Sequence, residues 1–442
     1  MPRTPSLDHV LPKLQRIAKQ ASEAPQMAFT TLAHHVDVEL LHAAYKRTRK
    51  DGAVGVDGQT AAAFEQQLES NLQSLVDRLK SGTYFAPPVR RVHIPKGDGR
   101  TRPIGIPTLE DKVLQRSVAM VLEAIYEQDF LDCSYGFRPG RSAHHALEAL
   151  WKGLMDLGGG WVVEVDIQSF FDDVDHGHLR SFLEQRVRDG VIRRAIDKWL
   201  NAGVLEHGAV RHPESGTPQG GVISPLLANI YLHKVLDAWF ETEVKPRLAG
   251  NSFLVRYADD FVIGLATEED ARRVMAVLPK RFERYGLTLH PTKTRLVDFR
   301  RPPPDGGGSG TFELLGFTHF WGRSRKGKPV VQRKTASSRF SRALQRISEW
   351  CRLNRHREVA EQHELLSSKV RGHYGYFGIT GNGRALGRFL HQVERQWRRW
   401  LDRRSSRAKM TWDRFRALLR RYPLPPPRVA RSVYALAANS SD

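Results

Sequence analysis

Residues 253–263 constrain the fold most strongly, because they place two adjacent carboxylates, Asp259 and Asp260, between two apolar runs. The β-branched and aromatic residues on both sides predict a β-hairpin with the carboxylates at its tip. Burying two neighbouring carboxylates there costs roughly several kcal/mol unless a cation neutralises them. A hard divalent metal is the natural partner. The alternative, a solvent-exposed Asp-Asp turn, is disfavoured by the strand-like flanks.

A second acidic segment supports a metal site. Residues 161–173 read as a strand that runs into Asp166, followed by a turn and a helix. An aspartate at the end of a core strand, facing the hairpin carboxylates, suits two-metal phosphoryl transfer. In that chemistry one ion activates an attacking 3′-hydroxyl and the other holds the triphosphate, the ions lying roughly 3.5–4 Å apart. We therefore predict Asp166, Asp259 and Asp260 as catalytic metal ligands.

The motif Tyr257-Ala258-Asp259-Asp260, with Asp166 upstream, resembles the catalytic core of reverse transcriptases. The surrounding blocks resemble the group II intron-encoded branch. This resemblance implies two Mg²⁺ ions as cofactors, with Mn²⁺ able to substitute, and it adds Ile167 to the predicted metal site.

The same resemblance implies an α+β fold of the right-hand polymerase type. Its fingers and palm carry an antiparallel sheet packed on helices, and an α-helical thumb or maturase domain follows. The implied domains are a helical N-terminal extension at residues 1–60, fingers and palm at 61–330, and a basic thumb at 331–442.

Two blocks predict binding of the incoming nucleotide. Residues 89–106 predict a hairpin with Gly-Asp-Gly at its turn and cations around it. Such cations are often merely solvated, but the block resembles the fingers of reverse transcriptases. By that resemblance Lys96 and Arg102 hold the triphosphate, Arg as a fork and Lys as a point charge. Gln219, in a glycine-rich loop, is expected to hydrogen-bond the primer-template or the incoming base pair.

Phe171 is the predicted sugar gate. It follows Asp166 by five residues, where the family resemblance places an aromatic ring under the ribose. A ring there admits a 2′-hydrogen and collides with a 2′-hydroxyl, so selection is by steric exclusion. The neighbouring Phe170 competes for this role, and the ring that does not form the gate belongs to the core.

Five residues are predicted to contact template or primer, all by resemblance. The block at residues 134–142 supplies Phe137, Arg138 and Arg141, the catalytic motif supplies Tyr257, and a strand-like segment at residues 287–297 supplies Lys293.

The positive charge of the chain is concentrated near its end. Lys and Arg total 69 against 48 Asp and Glu, a net charge of +21. Residues 321–442 carry 29 basic and 8 acidic residues, whereas residues 1–320 carry 40 of each. A solvated helical face is the simplest alternative, but such a segment attracts polyanions, of which nucleic acid is the most charge-dense.

The basic segment is predicted to be helical. Apolar stripes run over about residues 336–353, 358–377, 383–403 and 411–421. The block Lys369–Ile379 resembles the thumb or maturase region of group II intron proteins, and Arg371, Arg398 and Arg399 are the predicted RNA-binding residues. No cysteine-rich HNH endonuclease pattern accompanies it, which leaves cleavage of a DNA target in doubt.

The cysteine content fits a reducing cytoplasm, and the family resemblance implies a bacterial protein associated with the nucleoid or a ribonucleoprotein. Two cysteines are too few for a disulfide framework. The first residues lack the apolar core of a signal peptide, and no uncharged run reaches the roughly 18 residues that a membrane span requires.

The predicted function is RNA-directed DNA polymerisation, in which a primer 3′-hydroxyl is extended with dNTPs on an RNA template. The expected partners are the RNA template, a DNA primer or target and the chain's own intron RNA, bound to assist splicing and retrohoming. A freestanding reverse transcriptase in phage defence or DNA repair is the alternative, and it shares every catalytic motif. An RNA-binding maturase without essential polymerase activity is less favoured because all three carboxylates are present.

Overall fold

The structure, a computed structural model, describes residues 7–95, 101–206, 209–211, 216, 220–303, 310–324, 326–405 and 409–430. Lys96 and Gln219, both predicted nucleotide-binding residues, lie outside the described residues. Contacts within the chain define two compact units: Met1–Ala146 with Val163–Leu296, and Leu147–Val162 with Val297–Asp442.

The described chain before residue 284 contains the first group of α-helices. Their bounds are α1 (Leu7–Glu23), α2 (Val38–Arg47), α3 (Ala61–Glu65), α4 (Leu68–Ser81), α5 (Leu109–Tyr126), α6 (Ala143–Asp156), α7 (Phe170–Asp173), α8 (His176–Glu184), α9 (Gly190–Leu200), α10 (Ser224–Leu232) and α11 (Glu268–Glu283). After α10 the chain continues through two π-helical turns, His233–Asp237 and Phe240–Val244. Side-chain caps fix several starts, as where the Asp37 carboxylate accepts the Leu40 N–H (2.9 Å) at α2.

Twelve strands in the described ranges form three sheets. They are β1 (Val89–Pro95), β2 (Thr101–Ile106), β3 (Trp161–Gln168), β4 (Val204–Glu206), β5 (Ala209–Arg211), β6 (Ser252–Tyr257), β7 (Asp260–Leu265), β8 (Thr288–Leu289), β9 (Arg295–Asp298), β10 (Phe312–Leu314), β11 (Phe317–Arg323) and β12 (Pro329–Thr335). The sheet orders are β2-β1-β4-β5, β6-β7-β3-β8 with β9 paired to β3, and β10-β11-β12. The second sheet therefore places the β6–β7 hairpin directly beside β3.

Helix α5 forms the centre of the first unit. Its residues from Val118 to Leu122 are all buried, and α1 and α2 pack against it. A helix that is apolar on nearly every side belongs in a core rather than on a surface. Helix α10 also packs against α5.

The second unit contains, besides most of α6, four basic helices in its described ranges: α12 (Ser337–Leu353), α13 (Val359–Phe377), α14 (Gly383–Leu401) and α15 (Trp412–Arg421). Their core contains Leu366, Phe389, Val393, Trp397 and Phe415. The Trp397 indole N–H donates to the Gln362 side-chain oxygen (3.0 Å), which satisfies its buried polar group.

The α+β fold predicted from the sequence is confirmed. The predicted hairpins at residues 89–106 and 253–263 are β1–β2 and β6–β7, and the four helical patterns of the basic segment are α12–α15. The predicted strand at 287–297 is wrong in one respect, because it is broken into β8 and β9 by a turn. None of the helices in the described ranges is long and apolar enough to cross a membrane.

Asp111, in the first turn of α5, is a buried carboxyl group. It is 1% exposed, the Tyr84 hydroxyl donates to it, and the Trp199 indole N–H donates to that hydroxyl (2.8 Å). Burial raises the pKa of Asp111 to about 7, although the Tyr84 hydrogen bond acts to lower it. The folded protein therefore keeps a proton here at pH values where the unfolded chain has lost it.

Asp111→Asn is expected to remove a pH dependence of stability. Between the unfolded pKa of 3.8 and the folded pKa of about 7, the folded parent binds more protons, so its free energy of unfolding falls as pH rises through this window. Relative to the variant, the parent should lose about 3 kcal/mol between pH 5 and pH 8.

Urea unfolding at pH 5, 6, 7 and 8, followed by tryptophan fluorescence, measures this difference. Asp77→Asn, at an exposed position on α4, is the matched control and should follow the parent. Parallel pH profiles for the parent and Asp111→Asn would contradict the prediction.

Candidate functional site

The β6–β7 hairpin presents the two adjacent aspartates as predicted. Tyr257 pairs with Asp260, so Ala258 and Asp259 form a two-residue turn. Ala258 has φ +57°, a left-handed conformation that such hairpin turns require and that alanine rarely adopts. Asp259 is half-buried and Asp260 is exposed. The two carboxylates are therefore more accessible to solvent than the apolar residues on either side of them suggested.

Asp166 lies on β3, the strand next to β7. The expectation that Asp166 ends its strand is wrong by two residues, because β3 continues to Gln168 and the turn comes at Ser169 (φ +45°). The break between β8 and β9 holds the main chain at Asp166. The His290 N–H donates to the Asp166 carbonyl oxygen (2.8 Å), and the Asp166 N–H donates to the Thr294 hydroxyl (3.5 Å).

Lys293 lies in this turn, and its ammonium group forms an ion pair with the Asp166 carboxylate. A continuous strand would have pointed alternate side chains to opposite faces of the sheet. The turn forms because Pro291 cannot donate a ladder hydrogen bond, and because the Thr292 N–H donates to the His290 Nδ1 (3.3 Å) instead. The template or primer role of Lys293 stays a prediction.

Electrostatics link the predicted residues from three strands. Burial raises the pKa of Asp259, the positive charge of Arg102 on β2 opposes that shift, and the negative charge of Asp166 adds to it. Asp166 and Arg102 therefore lie within electrostatic reach of Asp259. The structure brings together two carboxylates that repel each other and a guanidinium group.

The donor set fits a hard divalent cation. Oxygen ligands from Asp166, Asp259 and Asp260 are of the kind Mg²⁺ prefers. A cation would stabilise the charged form of Asp259, which burial, and to a lesser extent the negative charge of Asp166, disfavour. Across the described ranges, no group of three or more Asp, Glu, His or Cys side chains is gathered as a metal site. Lys293 neutralises Asp166 in this arrangement. Ile167, the remaining predicted metal residue, is buried beside Asp166 and pairs with Leu289 on β8.

Phe170 and Phe171 differ as the gate hypothesis requires. Phe170 is 2% exposed and lies in the core, whereas Phe171 is half-buried at the start of α7. Their rings meet edge to face at 5.3 Å between centroids. Phe171 is thus the ring available to a ligand.

Two glycines fix the ends of the segment that contains Gln219. A Cβ at Gly216 would lie 2.7 Å from the Asp172 carbonyl oxygen on α7, and one at Gly220 would lie 2.3 Å from the Gly105 carbonyl oxygen on β2. Only glycine allows both contacts. One end therefore packs on the helix that carries Phe171, and the other on the strand that carries Arg102.

The predicted template-contacting block at residues 134–142 contains an exposed aromatic residue and arginines that form ion pairs within the protein. Phe137 is 54% exposed, and its ring centroid lies 6.4 Å from that of Tyr257. Arg138 is buried; its guanidinium forms an ion pair with Glu127 (3.0 Å) and donates to main-chain carbonyls. Arg141 pairs with Asp132. Arg138 therefore supports the loop that presents Phe137 rather than offering a free guanidinium to a template.

Gly136 joins this block to the catalytic turn. A Cβ at Gly136 would lie 2.3 Å from the Ala258 backbone nitrogen, closer than any real side chain approaches. The Asn229 amide on α10 donates to the Gly136 carbonyl oxygen (2.7 Å). Residue 136 must therefore be glycine for the turn to lie where it does.

Arg256, a buried residue on β6, contacts the Ala258–Asp259 turn through its guanidinium group. Arg256 and Asp237 are both 0% exposed and form a two-pronged ion pair. The same guanidinium donates to the Asn229 side-chain oxygen (2.9 Å), to the Ala258 carbonyl oxygen (3.1 Å) and to the Ser134 hydroxyl (2.7 Å). One buried cation thus ties the left-handed turn to three other segments.

Sequence reasoning missed the Arg256 network. The available signal was a single arginine within an otherwise apolar strand, since a buried charge requires a buried partner. The sequence alone could not identify that partner as Asp237, which lies in a π-helical turn.

The three predicted RNA-binding arginines of the second unit differ in exposure. Arg371 and Arg399 are exposed. Arg398 is turned inward, where it donates to the Met410 carbonyl oxygen (2.6 Å) and lies over the Trp412 ring (4.4 Å from guanidinium carbon to centroid). The first two remain predicted phosphate contacts, whereas Arg398 holds the start of α15.

Comparisons with known families agree with the site. Residues 94–319 match the family model "Reverse transcriptase (RNA-dependent DNA polymerase)", and residues 340–421 match "Group II intron, maturase-specific domain". The predicted resemblance to group II intron-encoded reverse transcriptases is thereby confirmed.

Curated relatives match over part of their length. Protein YkfC of Escherichia coli is 41% identical, over 47% of this chain and 62% of its own. Group II intron-encoded protein LtrA of Lactococcus lactis is 40% identical, over 50% of this chain and 37% of its own. Nuclear intron maturase 2 of Arabidopsis thaliana is 29% identical, over 43% of this chain and 30% of its own. The matched region thus covers less than two thirds of each of these relatives.

Arg256→Met and Asp237→Leu are each expected to destabilise the first unit by about 3–5 kcal/mol, because each leaves its partner as an uncompensated buried charge. The double variant leaves neither charge unpaired, so it should cost much less than the sum of the two. Urea unfolding of the four proteins forms the double-mutant cycle. Additive losses would contradict the coupling.

Proposed function

This chain belongs to the reverse transcriptase (RNA-dependent DNA polymerase) family, and we propose that it extends the 3′-hydroxyl of a primer with deoxynucleoside triphosphates on an RNA template. The observation that carries this proposal is the position of the β6–β7 hairpin, with Asp259 and Asp260 at its turn, directly beside β3, which carries Asp166. The positive charge of Arg102 also acts on Asp259. A metal–triphosphate complex is bound by carboxylates, which hold the metal, and by a guanidinium group, which binds the phosphate oxygens. The polymerase fold accounts for their convergence from separate strands.

Membership of this family implies dependence on divalent metal ions. We propose two Mg²⁺ ions held by Asp166, Asp259 and Asp260, for which Mn²⁺ can substitute. When bound, the metal supplies an activated 3′-hydroxyl and charge neutralisation of the leaving pyrophosphate.

The protein's own residues orient the nucleotide. The Arg102 guanidinium is exposed on β2 and can hold phosphate oxygens by paired hydrogen bonds, with Lys96 as a further cation in the same hairpin by resemblance. Phe171 limits the space at the 2′ position of the sugar, and Gln219 contacts the base pair. Phe137 and Tyr257 form an aromatic pair suited to stacking on a template base.

A maturase role is the second proposal. The match of residues 340–421 to a maturase-specific domain supports it, as do the exposed Arg371 and Arg399 on basic helices. In this role the chain binds its own group II intron RNA, assists splicing and takes part in retrohoming to a DNA target. A freestanding reverse transcriptase would keep the polymerase site without this RNA partner.

Asp259→Asn should abolish primer extension and leave RNA binding nearly unchanged, because it removes a metal ligand and touches none of the basic helices. The loss should exceed the about 10–100-fold effect of changing a residue that only orients a ligand. Extension of oligo(dT) on poly(A), with filter binding in parallel, measures both properties. Asp77→Asn serves as the control, and appreciable extension by Asp259→Asn would remove that residue from the metal site.

Phe171→Ala should admit ribonucleotides while retaining much of the activity with deoxynucleotides, because the steric barrier to a 2′-hydroxyl is lost. Phe170→Ala is the matched comparison. It should retain sugar discrimination and lose stability by roughly 3–5 kcal/mol through a core cavity.

Incorporation of GTP and dGTP by the two variants separates the roles. Discrimination by Phe171→Ala equal to that of the parent would place the gate elsewhere.

A further inference from the structure

The second unit contains a groove that the predicted site residues do not touch. Strands β11 and β12 form one side, and the segment Thr380–Asn382 with the first turns of α14 forms the other. Its volume is about 1700 Å³, larger than the about 300–1,000 Å³ of most small-molecule pockets. We call it the α14 groove. Its size suits a segment of a polymer rather than one small molecule.

The α14 groove is lined by positive charge that forms no salt bridges with the part of the chain that the structure describes. Its cationic residues are Arg323, Lys326, Arg333, Lys334, Arg384 and Arg388. Among the described residues, none that lines the groove carries a carboxylate, and none of these six cations forms a salt bridge. By contrast, Arg357 on the same unit pairs with Glu361. The groove therefore has the potential to attract an anion along its whole length.

The start of α14 adds to this potential. Asn382 occupies the N-cap position, but its side chain is engaged with β12: its oxygen accepts the Thr335 N–H (2.9 Å), and its amide donates to the Thr335 hydroxyl (2.9 Å). No side chain in the described ranges caps the 19-residue helix. The positive end of the helix dipole thus faces the groove without a side-chain acceptor.

The buried wall of the groove carries Arg333, only 4% exposed, whose guanidinium donates to the Leu147 carbonyl oxygen (3.0 Å). Burial lowers the pKa of Arg333, and the negative charge of Glu148 opposes this shift only in part. Since Arg333 forms no salt bridge within the described ranges, an anion placed against the guanidinium would stabilise its charged form further. Arg333 thus favours an anionic ligand in the groove independently of the helix end.

Two glycines leave the helix surface open. A Cβ at Gly383 or at Gly387 would meet nothing within 4 Å. Glycine within a helix is less stable than alanine by roughly 0.5–1 kcal/mol, so its presence on the groove side suits close approach of a ligand to the backbone.

We propose that the α14 groove binds the phosphodiester backbone of a single strand of nucleic acid. The choice of nucleic acid as the polyanion rests on the proposed function. A channel with cations on both walls contacts one strand from two sides, whereas a duplex presents its two backbones on its outer surface. Arg384 and Arg388, one helical turn apart on α14, are the principal contacts to successive phosphates.

Gly387→Glu tests the groove without removing a native side chain. The added side chain enters open space, gains helix propensity and places a negative charge among the cations. Ala360→Glu is the charge-matched control, on the exposed first turn of α13 beside Glu361. Equal thermal midpoints would show that both variants are folded.

Binding of labelled oligo(U) and oligo(dT) is measured by anisotropy with EDTA and without dNTPs, so that catalysis plays no part. Gly387→Glu should weaken binding about tenfold, and Ala360→Glu should leave it unchanged. Arg384→Gln/Arg388→Gln should lower the slope of log affinity against log salt by about 1.4, or about 0.7 for each phosphate that is no longer neutralised.

An unchanged slope and affinity in these variants would overturn the proposal. An equal loss of affinity for a duplex would overturn the assignment to single strands. Competition by polyglutamate as strong as that by oligonucleotide would reduce the groove to a general polyanion surface. Preference between oligo(U) and oligo(dT) distinguishes RNA from DNA as the occupant.

Primer extension at saturating template keeps this outcome separate from the proposed activity. Ala360→Glu should extend as the parent does there, because the change lies outside both the groove and the predicted metal site. An inactive parent would count against the polymerase proposal, while the binding comparison would still decide the groove.

Discussion

The β6–β7 hairpin depends on one ion pair that water does not reach, between Arg256 and Asp237. Removing both charges from water is costly, and good geometry with additional hydrogen bonds offsets that loss. Here those bonds go to Ser134, Asn229 and the Ala258 carbonyl oxygen. The guanidinium therefore stabilises a backbone conformation that alanine avoids. The orientation of the carboxylates is determined beneath the site, by a group that touches no substrate.

Local sequence patterns were enough to predict the elements that carry the site. Runs of apolar, β-branched and aromatic residues on both sides of the two aspartates predicted the β6–β7 hairpin, and apolar stripes at helical spacing predicted α12–α15. The pairing of Arg256 with Asp237 could not be predicted, because it depends on which π-helical residue packs under β6. The turn at Lys293 was missed for a related reason. A proline in a strand-like segment signals an interruption, but only the fold shows that the interruption closes on Asp166.

Net charge alone overstates how many arginines are free to meet nucleic acid. Arg138 and Arg398 use their guanidinium groups to hold protein main chain, where the rigid fork of donors satisfies several carbonyls at once. Arg384 and Arg388 form no salt bridge within the described chain and line a groove instead. Composition counts these four residues equally. Burial and partner choice separate the structural arginines from the ones available for binding.

The contact between Gly136 and Ala258 also determines what can be transplanted. The backbones of Gly136 and Ala258 are in direct contact, since a Cβ at Gly136 would lie 2.3 Å from the Ala258 nitrogen. The hairpin tip and the Ser134–Phe137 segment therefore pack as one unit made from two separate stretches of chain. A chimaera that exchanges the hairpin alone would join surfaces shaped for different neighbours. A recombinant that takes both stretches from the same parent keeps this contact intact. The smallest exchangeable module is discontinuous in sequence.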